Sequence, residues 1–490
     1  MGKNLQKRRD FLKTAAAGAI GITAAKFNKV FASPKAWTSG MQINAAIDNK
    51  RVICCHDVKM LPNLTATSTN WLGQNNAVNA ALVASNMDQM AMMLAQKTTA
   101  ADAWSTIFQK PTAKTWAGVK VAIKTNAVIS NGNHPRVAII KKICDVLVDQ
   151  FKVLPANIVI YDAGIDNASC YASYADIADV TNTKIRAVVS TTRAGSLNGF
   201  KAVPIASAGK PISCVADLVD GNIDILVNVA VCKAHDGPGG SYGYGSCTLC
   251  MKNHFGTFVN SSSTTVSTGD STGLHSIPAI CEINKHDAII GGTPVRQQLC
   301  IVDALLSNGV NPASAWDNPT YRIVMGTFAP IVDYCTANNI LLNKAVMTAK
   351  FMLPLGVTNA AINLPQFLTS FGYTVADVQN SWIEYVPGAI GVIDPSSREH
   401  SERVVQVALS NASYKQSAAN ITVPRSASAV RVSIVDGRGR QIRKLTASHD
   451  QTRIVWDGLS DGGNLVSAGN YLVKISAGTA EGAGIIVAGR

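Results

Sequence analysis

The stretch from Val119 to Tyr161 constrains this chain most, because its apolar residues switch from a period of two to a period of about 3.6 and back. Val119–Thr125 (VKVAIKT) alternates as a strand, and Asn126–Pro135 (NAVISNGNHP) reads as a polar loop. Arg136–Phe151 then places Ile140, Ile143, Cys144, Leu147, Val148 and Phe151 on one helical face, and Asn157–Tyr161 (NIVIY) reads as a second strand. Two strands joined through a helix pair in parallel by a right-handed crossover. Such a unit commits the chain to a sheet with helices on its faces.

The same alternation continues. Ile185–Ser190, Ile223–Val229, Leu299–Val302 and Arg322–Met325 read as strands, with helical patterns at Ser276–Asn284 and Ile331–Asn343. Upstream, Asn76–Gln96 carries Val78, Leu82, Met87, Met90 and Leu94 near helical spacing, a stripe read as core packing rather than a cofactor contact. The expected fold class is therefore α/β, a largely parallel sheet with flanking helices, over residues 33–410.

With 490 residues the chain exceeds one ordinary domain, and its composition shifts after Ser410. Residues 411–428 are rich in Ala, Ser and Asn and read as a linker. Residues 429–490 read as a small all-β sandwich, with strands at Ala429–Val435, Gln441–Leu445, Thr452–Trp456 and Asn470–Ser476 between Gly turns. Trp456 and Tyr471 would supply its large core side chains.

A sequence pI near 9.2 and a net charge of +13 suggest a polyanionic partner until the charges are located. Residues 1–32 hold seven Lys or Arg against one acid, so six of those charges sit there. This segment has a basic start, a weakly apolar run Thr14–Ala25 and Val30-Phe31-Ala32 before Ser33, the pattern of a removable signal peptide. The run is too short to span a bilayer, and no later stretch reaches that length without polar interruption. No membrane span is expected after cleavage. Outside the signal, Arg431, Arg438, Arg440, Arg443 and Lys444 gather in the C-terminal module, read as a solvated face, so no nucleic-acid partner is expected.

In open α/β sheets ligands bind beyond the carboxyl ends of the strands. That rule gathers Asn126 and His134 after the first strand, Asp162 after the second, Lys233 and His235 after the apolar run from Ile223, and Asp303 after Leu299–Val302. Lys233 and His235 lie two apart, on one face of an extended chain. The glycine-rich loop Gly237–Gly245 follows, Ser246 or Thr248 would cap a helix, and Lys252, Asn253 and His254 come one turn later. Lysine charge, exposed amides and a helix N-terminus favour a small anionic ligand such as phosphate or carboxylate. No P-loop, dinucleotide fingerprint or Gly-x-Ser-x-Gly elbow is present. His235, His254 and His275 have the chemistry to bind zinc or iron, with Asp236 or Cys250 as a fourth ligand, yet their spacings match no helical ligand motif. Hydrogen-bonded or acid/base histidines are the other reading.

The eleven cysteines cannot all pair within one chain, and Cys144 and Cys300 read as small buried hydrophobes. Cys247 and Cys250 form one Cys-x-x-Cys, open to a structural, redox or metal role. The cofactor is not specified by the sequence, and the repeated Cys run that holds an iron–sulfur cluster is missing.

Three segments resemble known families. Arg8-Arg9-Asp10-Phe11-Leu12-Lys13 resembles the twin-arginine export motif, with Lys7 where Ser or Thr is more usual; the resemblance implies a periplasmic or extracellular protein exported already folded. Gly437-Arg438-Gly439-Arg440, Val455-Trp456-Asp457-Gly458, Asp461, Gly463, Gly469 and Tyr471-Leu472-Val473 resemble the immunoglobulin-like module of the flagellar hook-capping protein. This implies an appendage that joins an extracellular or cell-surface assembly, or one that only stabilises. Lys120–Asn126 (KVAIKTN), Lys233-Ala234-His235, Thr248–Asn253 (TLCMKN), Gly256, His275 and Ile301-Val302-Asp303, with an opening segment Arg51–Lys59, resemble the domain-of-unknown-function family 362. By that resemblance Lys124, Asn126, Lys233, His235, Lys252 and Asn253 are the functional positions. The family brings no established reaction.

Three functional classes fit. The first is an exported enzyme in which Lys233 and Lys252 hold an anion and His235 acts as general acid or base. The second is a non-catalytic binding or structural protein anchored through its C-terminal sandwich, and the third is a redox or metal protein.

Overall fold

The structure is a computed structural model that describes residues 41–65, 68–127, 132–162, 165, 168–177, 185–187, 199–209, 211–234, 247–260, 274, 276–309, 318–347, 360–387, 409–410, 419–422, 430–436, 440–448, 451, 453–466, 469–477 and 480–488. The signal segment 1–32 lies outside them.

Among the described residues, twelve strands precede residue 400: β1 (Val52–His56), β2 (Val121–Lys124), β3 (Ile158–Asp162), β4 (Ile185–Ala187), β5 (Phe200–Val203), β6 (Ile212–Val215), β7 (Ile225–Ala234), β8 (Cys247–Thr248), β9 (Phe258–Asn260), β10 (Gln297–Asn308), β11 (Asn318–Gly326) and β12 (Trp382–Tyr385). Nine of them form one sheet in the order β12-β1-β11-β10-β7-β2-β3-β4, with β8 paired to β7 off this path. The pairs β1/β12, β10/β7, β7/β2, β2/β3 and β3/β4 are parallel, whereas β11 runs against both β1 and β10. The largely parallel α/β sheet expected from the sequence is present. The crossover from β2 to β3 passes through an α-helix, Val137–Asp145, that continues as a π-helical turn over Val146–Gln150.

Both faces of the sheet are covered, and the strand alternation sorts side chains between two cores. Ala122, Leu226, Ala230, Cys300 and Val302 enter one. Val121, Ile123, Val227, Val229 and Ile301 enter the other, with Met87, Met90 and Leu94 of the helix Ala80–Ala95. The methionine stripe is core. That helix starts where the Asn79 side chain accepts from the amide of Leu82 and ends at Gln96 in the left-handed region.

Two parts differ from the sequence reading. β5, β6 and β9 form a separate antiparallel sheet, and β12 adds an edge strand; all four are only three or four residues long, too short to show a clear period. Conversely β7 and β10 run past their apolar cores to Ala234 and Asn308, because sheet pairing carries polar residues along.

The C-terminal strands form two further antiparallel sheets. β13 (Leu409–Ser410), β14 (Ala419–Thr422) and β17 (Arg453–Trp456) make one; β16 (Gln441–Ala447), β15 (Val430–Val435), β18 (Gly469–Ala477) and β19 (Ala480–Ala488) make the other. Their shared core takes Ile421, Ile454 and Trp456 from the first and Val430, Val432, Tyr471 and Val473 from the second. Trp456 packs on Tyr471 with ring centroids 5.4 Å apart. Gly458 and Gly463 hold φ of +76° and +75°, the left-handed values their turns require. β14 lies within the segment read as linker, since a strand ANIT has a linker's composition and only its pairing with β17 reveals it.

Among the described residues no helix is long and apolar enough to cross a membrane.

Candidate ligand site at the carboxyl end of the sheet

β1, β2, β3, β7 and β10 point the same way, and β7 and β10 run on past the ends of β2 and β3, since Lys124 pairs with Asn228 and Asn228 with Cys300. Lys124 and Asp162 close adjacent parallel strands. Their side chains meet there, with Nζ 2.7 Å from Asp162 Oδ1 and both side chains buried. Lys124 also donates to Thr125 O at 2.7 Å and to Asn253 Oδ1 at 3.4 Å, so its three protons are committed. Burial pushes the Lys124 ammonium below the ordinary lysine value, and the Asp162 charge offsets part of this. Asp162 Oδ2 in turn accepts from the amide of Ala127 and fixes the start of the loop after β2.

Asn253 joins this pair to a chain of buried amides. Its Oδ1 accepts from Asn126 Nδ2 at 3.2 Å, and its Nδ2 donates to Asn228 Oδ1 at 2.8 Å and Val229 O at 3.3 Å. Asn228 donates to Cys250 O and Gln297 Oε1, both at 2.9 Å. His254 Nε2 lies 2.6 Å from the same Gln297 oxygen, which places its proton on Nε2. Burial pushes His254 down to about 3, so the ring is neutral. Among the described residues, the buried atoms Asn126 Oδ1 and His254 Nδ1 have no hydrogen-bond partner.

Lys124, Asn126, Asp162 and Asn253, expected from the sequence as ligand contacts, are thus brought into one network. Lys233, buried on β7 five residues beyond Asn228, stands opposite Thr248 of β8. Lys252 is also buried, its Nζ 4.1 Å from the centroid of the Phe255 ring. His235, His275 and Gly237–Gly245 lie outside the described residues. Among the described residues no group of three or more His, Cys, Asp or Glu is arranged to hold a metal, and His254 is engaged with Gln297.

Asp303 and His134 are held by other contacts, with His134 Nδ1 3.3 Å from Asn126 O. Asp303 is fully buried and accepts from the amides of Arg136 at 2.7 Å and Leu305 at 3.0 Å, with the Arg136 guanidinium 3.7 Å away. Burial raises its carboxyl above the ordinary value, and Arg136 opposes this. Asp303 therefore ties β10 to the start of the helix Val137–Asp145. His134 packs near Trp71 with ring centroids 5.9 Å apart, while its carbonyl accepts from Trp71 Nε1 and from Arg136.

The helix expected after the loop is a single 3-10 turn, Lys252–His254. The amides of Cys250 and Met251 that precede it both donate to Asp333, each at 2.8 Å. An internal carboxylate thus occupies the place expected for an external anion. Burial pushes Asp333 up to about 7 against the pull of those two donors.

Asn228, Gln297 and Asp333 were missed by motif reading. Asn228 and Asp333 interrupt the apolar runs ILVNVAV and PIVDYC, and a polar residue inside such a run must find a partner. All eleven cysteines are buried, and burial holds the Cys250 thiol well above the ordinary value.

Residues 408–481 match the FlgD Ig-like domain family. No curated protein matches the chain significantly. Among solved structures, the fn3 domain of human collagen alpha-1(XX) is 22% identical, with a TM-score of 0.14, over 17% of this chain and 77% of its own. PorZ, a surface component of the type-IX secretion system of Porphyromonas gingivalis, is 19% identical with a TM-score of 0.14, over 19% of this chain and 12% of its own. FlgD from P. aeruginosa is 19% identical with a TM-score of 0.13, over 17% of this chain and 65% of its own.

Proposed function

We propose that the α/β region binds a small anionic ligand at the carboxyl end of its sheet, as an exported protein whose FlgD-like module joins it to a larger extracellular assembly. The convergence of Lys124, Asn126, Asp162 and Asn253 on one hydrogen-bonded network supports this reading. Those residues come from separate segments, and they meet where the parallel strands β2 and β3 end. The cations of this reading are Lys233 and Lys252, with His235 as the acid or base if the ligand reacts.

Isothermal titration of the full chain with orthophosphate and with propionate tests the site. Binding of either, lost in Lys233→Ala and Lys252→Ala but not in Lys201→Ala, is expected; no binding of either anion overturns it. In His235→Ala, binding retained with turnover lost marks an enzyme, whereas the binding-protein reading expects no turnover in the unaltered chain. Export is tested by replacing Arg8 and Arg9 with Lys, which should leave the protein inside the cell.

A further inference from the structure

We propose that the ligand presents a hydrogen-bond donor, a hydroxyl or an ammonium group, to Oδ1 of Asn126, so that the site selects small anions carrying such a group beside the charge. This rests on the anion-site reading above and adds the chemistry of the second group.

Asn126 stands two residues beyond the end of β2 and is 9% exposed. Its Nδ2 donates to Asn253 Oδ1, while among the described residues its Oδ1 has no partner. Exchanging the two amide atoms does not cure this, because the orientation is pinned from the backbone outward. Cys250 O accepts only from a donor, which fixes Asn228; Asn228 Oδ1 and Val229 O then both demand the Nδ2 of Asn253. Asn253 Oδ1, left facing Lys124 and Asn126, accepts from both. A flipped Asn126 would set oxygen against oxygen there. The unpaired atom is therefore an acceptor, and a buried acceptor calls for a donor.

Among the described residues, Lys124 and Asn253 cannot supply one. The protons of Lys124 go to Thr125 O, Asp162 Oδ1 and Asn253 Oδ1, and both amide protons of Asn253 are directed at oxygens. A fully committed lysine beside an uncommitted amide oxygen offers discrimination by hydrogen bonding more than by charge. A site built to bond a hydroxyl rejects the analogue that lacks it, because the acceptor is then left unpaired in the complex.

The test uses the full chain and two pairs of anions, lactate against propionate and 3-hydroxypropyl phosphate against propyl phosphate, each pair differing by one hydroxyl. The hydroxylated member should bind about tenfold tighter in the pair whose anionic group the site accepts, as expected for one buried hydrogen bond. Which pair responds distinguishes a carboxylate from a phosphate ligand. Asn126→Ala should bring that ratio close to one, the hydroxylated anion losing about tenfold more affinity than propionate or propyl phosphate. Equal affinity within both pairs for the unaltered protein overturns the proposal, as does a hydroxyl preference that survives Asn126→Ala. If Asn126→Ala does not fold, the crystal structure with the tighter anion decides, and a water that stays on Asn126 Oδ1 beside the bound anion overturns it. Should none of the four anions bind, nor orthophosphate, the anion-site reading itself fails.

Discussion

Two buried ion pairs at the sheet use similar residues for different ends. Arg136–Asp303 joins a helix start to a strand: Asp303 accepts from the amides of Arg136 and Leu305, and the guanidinium reaches Gln74 Oε1 at 2.7 Å and His134 O at 2.9 Å. Arg136 Nε and the Nδ2 of Asn133, whose oxygen accepts from that guanidinium, are left without a partner among the described residues. Lys124–Asp162 instead closes two parallel strands and ends, through Asn253, on the unpaired oxygen of Asn126. Neither burial nor an unpaired polar atom distinguishes a structural pair from one beside a binding site, so the two are separated by what their removal does.

The sharpest way to break this comparison is to remove one partner from the first pair. Arg136→Met leaves Asp303 buried beside only backbone donors, a defect that costs about 3–5 kcal/mol. Urea unfolding followed by far-UV circular dichroism should show that loss. A cost below about 1 kcal/mol would mean that the pair is not holding the helix to β10.

The second test uses pH. Asp333, raised to about 7 from 3.8, contributes stability that is full below 3.8 and lost as pH rises through about 7. His254, lowered to about 3 from 6.5, does the opposite: its contribution is full above 6.5 and lost as pH falls through about 3. The two oppose each other between about pH 4 and 6.5, so the unaltered protein should show a shallow profile there. Asp333→Asn should then lose stability on acidification and His254→Gln should gain it, each by roughly 3 kcal/mol across that window. Parallel profiles for both variants and the unaltered chain would sink this account.

These groups also mark what the sequence can and cannot convey. The β2–helix–β3 crossover was legible because every step of it is written in local periodicity; the strand-end rule then gathered Asn126 and Asp162, and the family resemblance added Lys124. Asp303 obeyed the same rule and yet turned inward, since the fate of a strand-end carboxylate depends on whether an arginine 167 residues away in sequence reaches it. Asp333 was invisible as a cap because it lies 82 and 83 residues from the amides it binds. Local pattern states which residues are polar in a core, whereas their partners are a property of the tertiary fold.

For the second pair, Lys124→Gln keeps a donor toward Asp162 while Ala127 still donates to the other carboxylate oxygen. Its cost should be about 1–3 kcal/mol, the range for a buried hydrogen-bonding group left partly unsatisfied. Because Asn253 loses its lysine contact, hydroxyl selection should fall in this variant by more than its stability does. An unchanged hydroxyl preference would place Lys124 with Arg136 among purely structural residues.

The smallest effect completes the series. Arg440 and Asp436 form an ion pair at 3.1 Å in the C-terminal module, but the arginine side chain is 75% exposed. Water solvates both groups nearly as well as they solvate each other, and ordering a long side chain offsets much of the attraction. Arg440→Ala should therefore change the unfolding free energy by no more than about 0.5 kcal/mol at moderate salt, and less as salt rises. Double-mutant comparison with Asp436→Ala measures the coupling directly. A coupling above about 1 kcal/mol would show that this basic face is organised rather than merely solvated, and would make it the first surface to examine for the partner of the module.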